Sequence, residues 1–130
     1  MTSKPWMCAV LYLAGVYNIT WGTIVALFPN ELFLLAGMEV PKYPALFQCI
    51  GMMIAVFGAA YLAAGHNPIR HWPIVFAGLL GRILGPIGFA YGLMEGTFTL
   101  KAGITILTND LIWIIPFAMI LWAAYRHAKQ

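Results

Sequence analysis

From Trp72 to Met94 the chain is apolar apart from one charge, Arg82. A hydrophobic stretch of roughly 20 residues is what a helix needs to cross a bilayer, and few other folds accept one. Within it, Gly78, Gly81, Gly85, Gly88 and Gly92 fall three or four residues apart. On a helix they form one smooth stripe, the kind of surface that lets another backbone approach closely. An arginine in the middle of such a span costs about 2.5–3.5 kcal/mol on insertion scales, so it requires a partner. Asp110, on the last apolar run, is the partner the sequence offers.

The remaining composition agrees. Of 130 residues, 62% are hydrophobic and 8% charged. Soluble domains carry about 25% charged residues, and this chain has too few to cover a surface in water. The sequence predicts a single transmembrane domain over residues 1–130, an all-α integral membrane protein. Its net charge of +3 is scattered over the ends of the apolar runs. No basic cluster tracks nucleic-acid phosphates, so no nucleic-acid partner is expected. Cys8 and Cys49 lie near the starts of the first two runs, at opposite bilayer faces, too far apart for a disulfide. They read as packing residues, and no Cys/His spacing suggests a metal.

Four spans are predicted, at about 6–28, 45–65, 72–94 and 103–125. The first is too long for a signal-peptide core, and no cleavage-like site follows it. On it Leu11, Ala14, Gly15, Asn18, Gly22 and Ala26 share one face. Pro29 ends this span, and Asn30 is expected to cap a short apolar helix, Glu31–Ala36, closed by Gly37. That helix is too short to cross the membrane. It reads as an interfacial piece or as a packed loop helix. The second span carries Gln48, Gly51, Ala55, Gly58 and Ala59 on a small face, with Tyr61 near its far end. In the third, Pro86 removes the helical donor to the Arg82 carbonyl. The fourth has Asn109 and Asp110 in its first half.

Loop charge sets topology. Lys4, Arg70, Arg126 and Lys129 fall on one side, Lys42 and Lys101 on the other, which favours both termini in the cytoplasm of an inner-membrane protein. Trp6, Trp72, Trp122 and Tyr125 then form an aromatic belt at the cytoplasmic interface. At a rise of 1.5 Å per residue, Asn18 lies roughly 18 Å deep, Arg82 roughly 14 Å and Asp110 roughly 20 Å. Three polar side chains from three helices are thus expected near the midplane. Two readings of this layer stand. In one, Arg82 and Asp110 neutralise each other and fix helix pairing. In the other, the layer lines a cavity that holds a headgroup, ion or proton. Tyr17, Tyr61, Tyr91, Trp21 and Trp113 are candidates to line that cavity, although each also fits ordinary packing. Gln48 and Asn109 complete the candidate polar set. His66, His71 and His127 sit on the rim, outside the spans, which argues against a buried bis-histidine haem. No nucleophilic triad, P-loop or dinucleotide fingerprint is present, so no catalytic residues are assigned.

A first span closed by Pro29, a short apolar helix ending at Gly37, a second span with Gly51 and Gly58 and a small-residue third span together resemble the DoxX-like small four-helix membrane proteins and neighbouring uncharacterised families. The resemblance is one of layout over most of the chain and transfers no residue role. It implies a four-helix transmembrane bundle and a link to quinone-dependent redox complexes. Small multidrug transporters have a similar length, but their hallmark first-span glutamate is missing, and Asn18 is the polar residue there. The functional expectation is a protein that binds a small amphipathic molecule, such as a quinone or lipid, or serves as an accessory subunit of a membrane complex. Its glycine-rich faces would make it a homo-oligomer or dock it on that complex. A transporter or proton-coupled carrier using Arg82 and Asp110 is the alternative, and an oxidoreductase subunit the third.

Overall fold

The computed structural model describes residues 4–97, 100–103 and 110–129, and every regular element among them is helical. Helix α1 spans Pro5–Leu27, α2 Pro29–Leu35, α3 Pro44–Ala64, α4 Trp72–Met94 and α5 Ile112–Ala128, with a 3-10 turn at Leu100–Ala102 before α5. Three of these, α1, α3 and α4, are long and apolar enough to cross a membrane, at 23, 21 and 23 residues. The shorter apolar helix α5 has 17. Residues 104–109 of the expected fourth span, including Asn109, lie outside the described residues.

Proline sets several boundaries. Pro5, Pro29, Pro44 and Pro73 occupy first-turn positions, where the missing N–H is lost at no cost. Pro29 therefore begins α2 as well as ending α1. Asn30 lies inside α2, and Phe28 takes the cap position. The expectation of an Asn30 cap is corrected by this: a proline at the first helical position moves the start two residues earlier. Gly37 and Gly96 adopt φ of 73° and 78°. Each closes its helix by the same pair of bonds, Met38 N–H to Phe33 O (2.9 Å) with Gly37 N–H to Leu34 O (3.1 Å), and Thr97 N–H to Gly92 O (2.8 Å) with Gly96 N–H to Leu93 O (3.1 Å). Helix α4 runs unbroken through Pro86.

The helices associate as two antiparallel pairs, α1 with α3 and α4 with α5. The α1–α3 seam is the closer. A Cβ built on Gly51 would lie 2.6 Å from Gly22 O, and one on Gly58 would lie 2.7 Å from Gly15 O. Only glycine permits backbones this near. Polar side chains stitch the same seam: Asn18 Nδ2 donates to Ile54 O at 3.4 Å and Gln48 Nε2 to Ala26 O at 2.9 Å. The small-residue face of α1 points inward, with Leu11, Ala14, Gly15, Asn18 and Gly22 buried and Ala26 partly so. Both pairs meet in a core at one end, where Met7, Leu11 and Ala14 of α1 join Tyr61 and Ala64 of α3, Val75 of α4 and Phe117, Ile120 and Ala124 of α5. Phe33 packs edge-on against Phe47 at 4.6 Å and holds α2 on α3, while Leu34 and Leu35 remain exposed.

Candidate functional site

Arg82 and Asn18 are the buried polar residues of the described core, 5% and 8% exposed. They touch. Arg82 Nη2 donates to Asn18 Oδ1 at 3.3 Å, so Asn18 accepts from α4 with one end of its amide and donates to α3 with the other. Arg82 Nη1 lies 3.9 Å from Asp110 Oδ1. Three aromatic faces surround the guanidinium carbon, Phe117 at 5.0 Å and Tyr61 and Trp113 at 5.6 Å each.

These distances decide which interactions hold the cation. The Asp110 contact is long for a charge-assisted hydrogen bond, which closes to about 2.7–2.9 Å. Desolvated cation–π contacts contribute about 2 kcal/mol or more, and three rings with one amide oxygen offset an insertion cost of about 2.5–3.5 kcal/mol. The expected Arg82–Asp110 pair is therefore present at ion-pair distance, and the aromatic cage and Asn18 share with it the burden of holding the cation. Asp110 stands at the edge of the cage, its side chain 16% exposed.

The glycine stripe of α4 explains why the cage fits. A Cβ on Gly78 would strike the Tyr61 hydroxyl and would come within 2.9 Å of the Phe117 ring. One on Gly85 would strike the Asp110 carboxylate, with the carboxyl carbon at 3.0 Å. Gly81 and Gly88 have no atom within 4 Å of their Cβ positions. The stripe was expected to admit a neighbouring backbone. It instead seats side chains from α3 and α5 against α4, and the backbone-to-backbone contact belongs to α1 and α3.

Beside the cage opens a cavity of about 480 Å³ bounded by α1, α3 and α4. Asn18, Tyr61, Arg82 and Asp110 supply its polar wall, and Trp21, Ile50, Met53, Ile54 and Phe57 its apolar one. Gly78, Gly81 and Gly85 give it width along α4. Such a site suits a molecule with a polar head and an apolar body. Its size falls in the range of ligand pockets, roughly 300–1,000 Å³.

The chain matches no family model, no curated protein and no solved structure. The site is therefore read from its own geometry.

The candidate residues divide clearly. Asn18, Arg82, Asp110, Tyr61, Trp113 and Trp21 converge on the cage or the cavity. Tyr17 is one step removed, its ring 6.0 Å from that of Trp113. Gln48 does not reach the cluster, because it is engaged with the Ala26 carbonyl near the far end of the α1–α3 seam. Tyr91 is 66% exposed and faces away. It follows Arg82 by nine residues, half a turn out of phase at about 3.6 residues per turn. Asn109 lies outside the described residues. Phe117 was missed, although it follows Asp110 by seven residues and Trp113 by four, which puts all three on one helical face. Among the described residues no group of three or more His, Cys, Asp or Glu gathers as a metal site. His66 and His71 lie with ring centroids 5.0 Å apart and planes tilted by 57° on the turn after α3, away from the cage.

Proposed function

We propose that the chain is a four-span transmembrane bundle that binds a small amphipathic molecule in the cavity beside Arg82. The observation that carries this reading is the make-up of the cavity: a buried cation, an amide and a carboxylate on one wall, and large apolar side chains on the other. In this arrangement α5 belongs to the fourth span, expected at about 103–125. Both termini and the 66–71 turn lie on the cytoplasmic side of the inner membrane. The loop-charge bias and the aromatic residues at that end, among them Trp72 and the stacked Trp122–Tyr125 pair, support this orientation. A quinone or a lipid has the matching chemistry, with carbonyl or phosphate oxygens to accept from Arg82 and an apolar portion for Trp21, Met53 and Phe57. The layout resemblance to DoxX-like proteins also points towards a quinone-associated role, as a binding or accessory subunit.

Native mass spectrometry of gently extracted protein, followed by solvent extraction, tests the proposal. A lipid-soluble molecule bound in stoichiometric amount is expected. Gly81 lines the cavity with nothing within 4 Å of its Cβ position, so Gly81→Trp fills the space and should expel the molecule while the helices stay folded. Bare wild-type protein, or equal retention by Gly81→Trp, overturns the reading. A proton-coupled carrier is the second reading, favoured by the 3.9 Å separation of Arg82 and Asp110 and by the partial exposure of Asp110 to the cavity. Substrate-dependent flux into vesicles that Asp110→Asn abolishes would select it.

A further inference from the structure

A second amphipathic site lies at the other end of α4, about 15 Å from Arg82 along the helix, given ten residues from Trp72 at 1.5 Å each. There the turn after α3 meets the C-terminal end of α5. Asn67, Arg70 and His127 line a pocket of about 430 Å³ between them. The pocket is floored by Trp72, Ala124 and Ala128, and these same three residues line an adjoining groove of about 250 Å³. That groove is apolar, walled by Phe76, Leu121 and Tyr125, and it descends along α4 and α5 from the polar mouth.

Charge and hydrogen bonding fix the sign of the occupant. Arg70 is on the rim, Arg126 and Lys129 are on the neighbouring tail, and the chain's four acidic residues, Glu31, Glu39, Glu95 and Asp110, all lie elsewhere in the sequence. His127 Nδ1 is buried without a hydrogen-bond partner among the described residues. An anion with several acceptor oxygens answers both. The continuity of the polar pocket with an apolar groove then separates a lipid from a free ion, because inorganic phosphate has nothing to place against Phe76 and Leu121. Basic pockets between helices at the membrane surface are recurrent headgroup sites. We propose that this end of the bundle is a binding site for an anionic phospholipid, with the phosphate at Arg70 and His127 and one acyl chain in the Phe76–Leu121–Tyr125 groove. The assignment rests on the membrane reading of the chain and is independent of what fills the Arg82 cavity.

The test is a titration of the purified full-length protein in a non-ionic detergent, read by native mass spectrometry. The probes are dioleoyl phosphatidylglycerol, dioleoyl phosphatidylcholine and inorganic phosphate. One phosphatidylglycerol should be retained about fivefold or more tightly than phosphatidylcholine, the gain expected from roughly one additional surface cation contact. Arg70→Gln should remove that preference, Arg70→Lys should keep it, and Lys101→Gln, beyond the opposite end of α4, should leave it unchanged. His127→Gln should weaken retention without abolishing the charge preference. Equal retention of the two lipids by wild-type protein overturns the proposal, as does an unaltered preference in a folded Arg70→Gln variant. Phosphate bound at millimolar concentration with no selectivity between the lipids would make this an inorganic-anion pocket and would also overturn it.

Discussion

Replacing Gly51 by alanine puts the smallest side chain into a backbone-to-backbone contact with no room for it. The added Cβ would sit 2.6 Å from Gly22 O and 2.7 Å from Ala26 N, where ordinary contact begins at about 3.4 Å. Both obstacles are backbone, so no rotamer can move aside and α1 must part from α3 by about 0.8 Å. A gap of that size forfeits about a quarter to a half of each contact of roughly 0.1–0.2 kcal/mol. Over on the order of thirty atom pairs along the seam, the loss is about 1.5 kcal/mol. The Asn18 to Ile54 bond, already 3.4 Å, and the Gln48 to Ala26 bond would lengthen with it. At about 0.6 kcal/mol for each interhelical bond, the total reaches about 2–3 kcal/mol. Alanine returns roughly 0.5–1 kcal/mol of helix preference, which leaves a net destabilisation of about 1–2.5 kcal/mol. Gly88 provides the control, because nothing lies within 4 Å of its Cβ position and Gly88→Ala should be neutral or slightly stabilising. Both variants can be unfolded with sodium dodecyl sulfate from bicelles and followed by circular dichroism. A difference between them smaller than about 0.5 kcal/mol, within the usual scatter of surface substitutions, would refute the close-packed seam.

Arg82→Ala should lower stability by about 3 kcal/mol, since a half-buried carboxylate and a buried amide lose their cation. The double variant Arg82→Ala with Asp110→Ala should recover part of that loss in the same unfolding assay, and a double variant no better than the singles would refute the pairing. Asn18→Leu should cost about 1.5–3 kcal/mol, because it removes an acceptor from a charged donor and the bond to Ile54 O together. Combining it with Arg82→Ala should give less than the sum of the two losses. Gly78→Leu should displace Tyr61 from the cage and reduce ligand retention in native mass spectrometry together with stability, whereas Gly81→Trp should reduce retention alone.

The long helices were legible because apolar length and proline placement act locally. Trp72–Met94 is found where it was expected, and the other two long spans begin and end within one residue of expectation. Part of the site was legible for a related reason. Depth along a helix is arithmetic, and it brought Asn18, Arg82 and Asp110 to one level before any packing was known. Depth alone does not give direction around the axis, and that is where Tyr91 went astray. Gln48 failed differently: a polar side chain near the end of a span need not seek the central cluster when a carbonyl of the adjacent helix lies within reach. The glycines held two meanings that spacing cannot separate. Gly15, Gly22, Gly51 and Gly58 bring backbone to backbone, while Gly78 and Gly85 make room for a phenol and a carboxylate. The difference lies in what the opposing helix presents, which no single helix encodes.

The seam between α1 and α3 has a mechanical consequence. Gly15 faces Gly58 and Gly22 faces Gly51, an equal step of seven residues on both helices. Sliding one helix by a residue would drive side chains into both glycine sites at once, so the pair behaves as a rigid plate that resists shear. Helices α4 and α5 form a second plate, and the guanidinium of Arg82 is a pin between them, fixed to one plate through Asn18 and caged in the other by Trp113 and Phe117. A molecule in the cavity that competes for Arg82 would loosen the pin without disturbing either plate. Occupancy would then change the spacing of two stiff bodies and leave the packing inside each of them as it was.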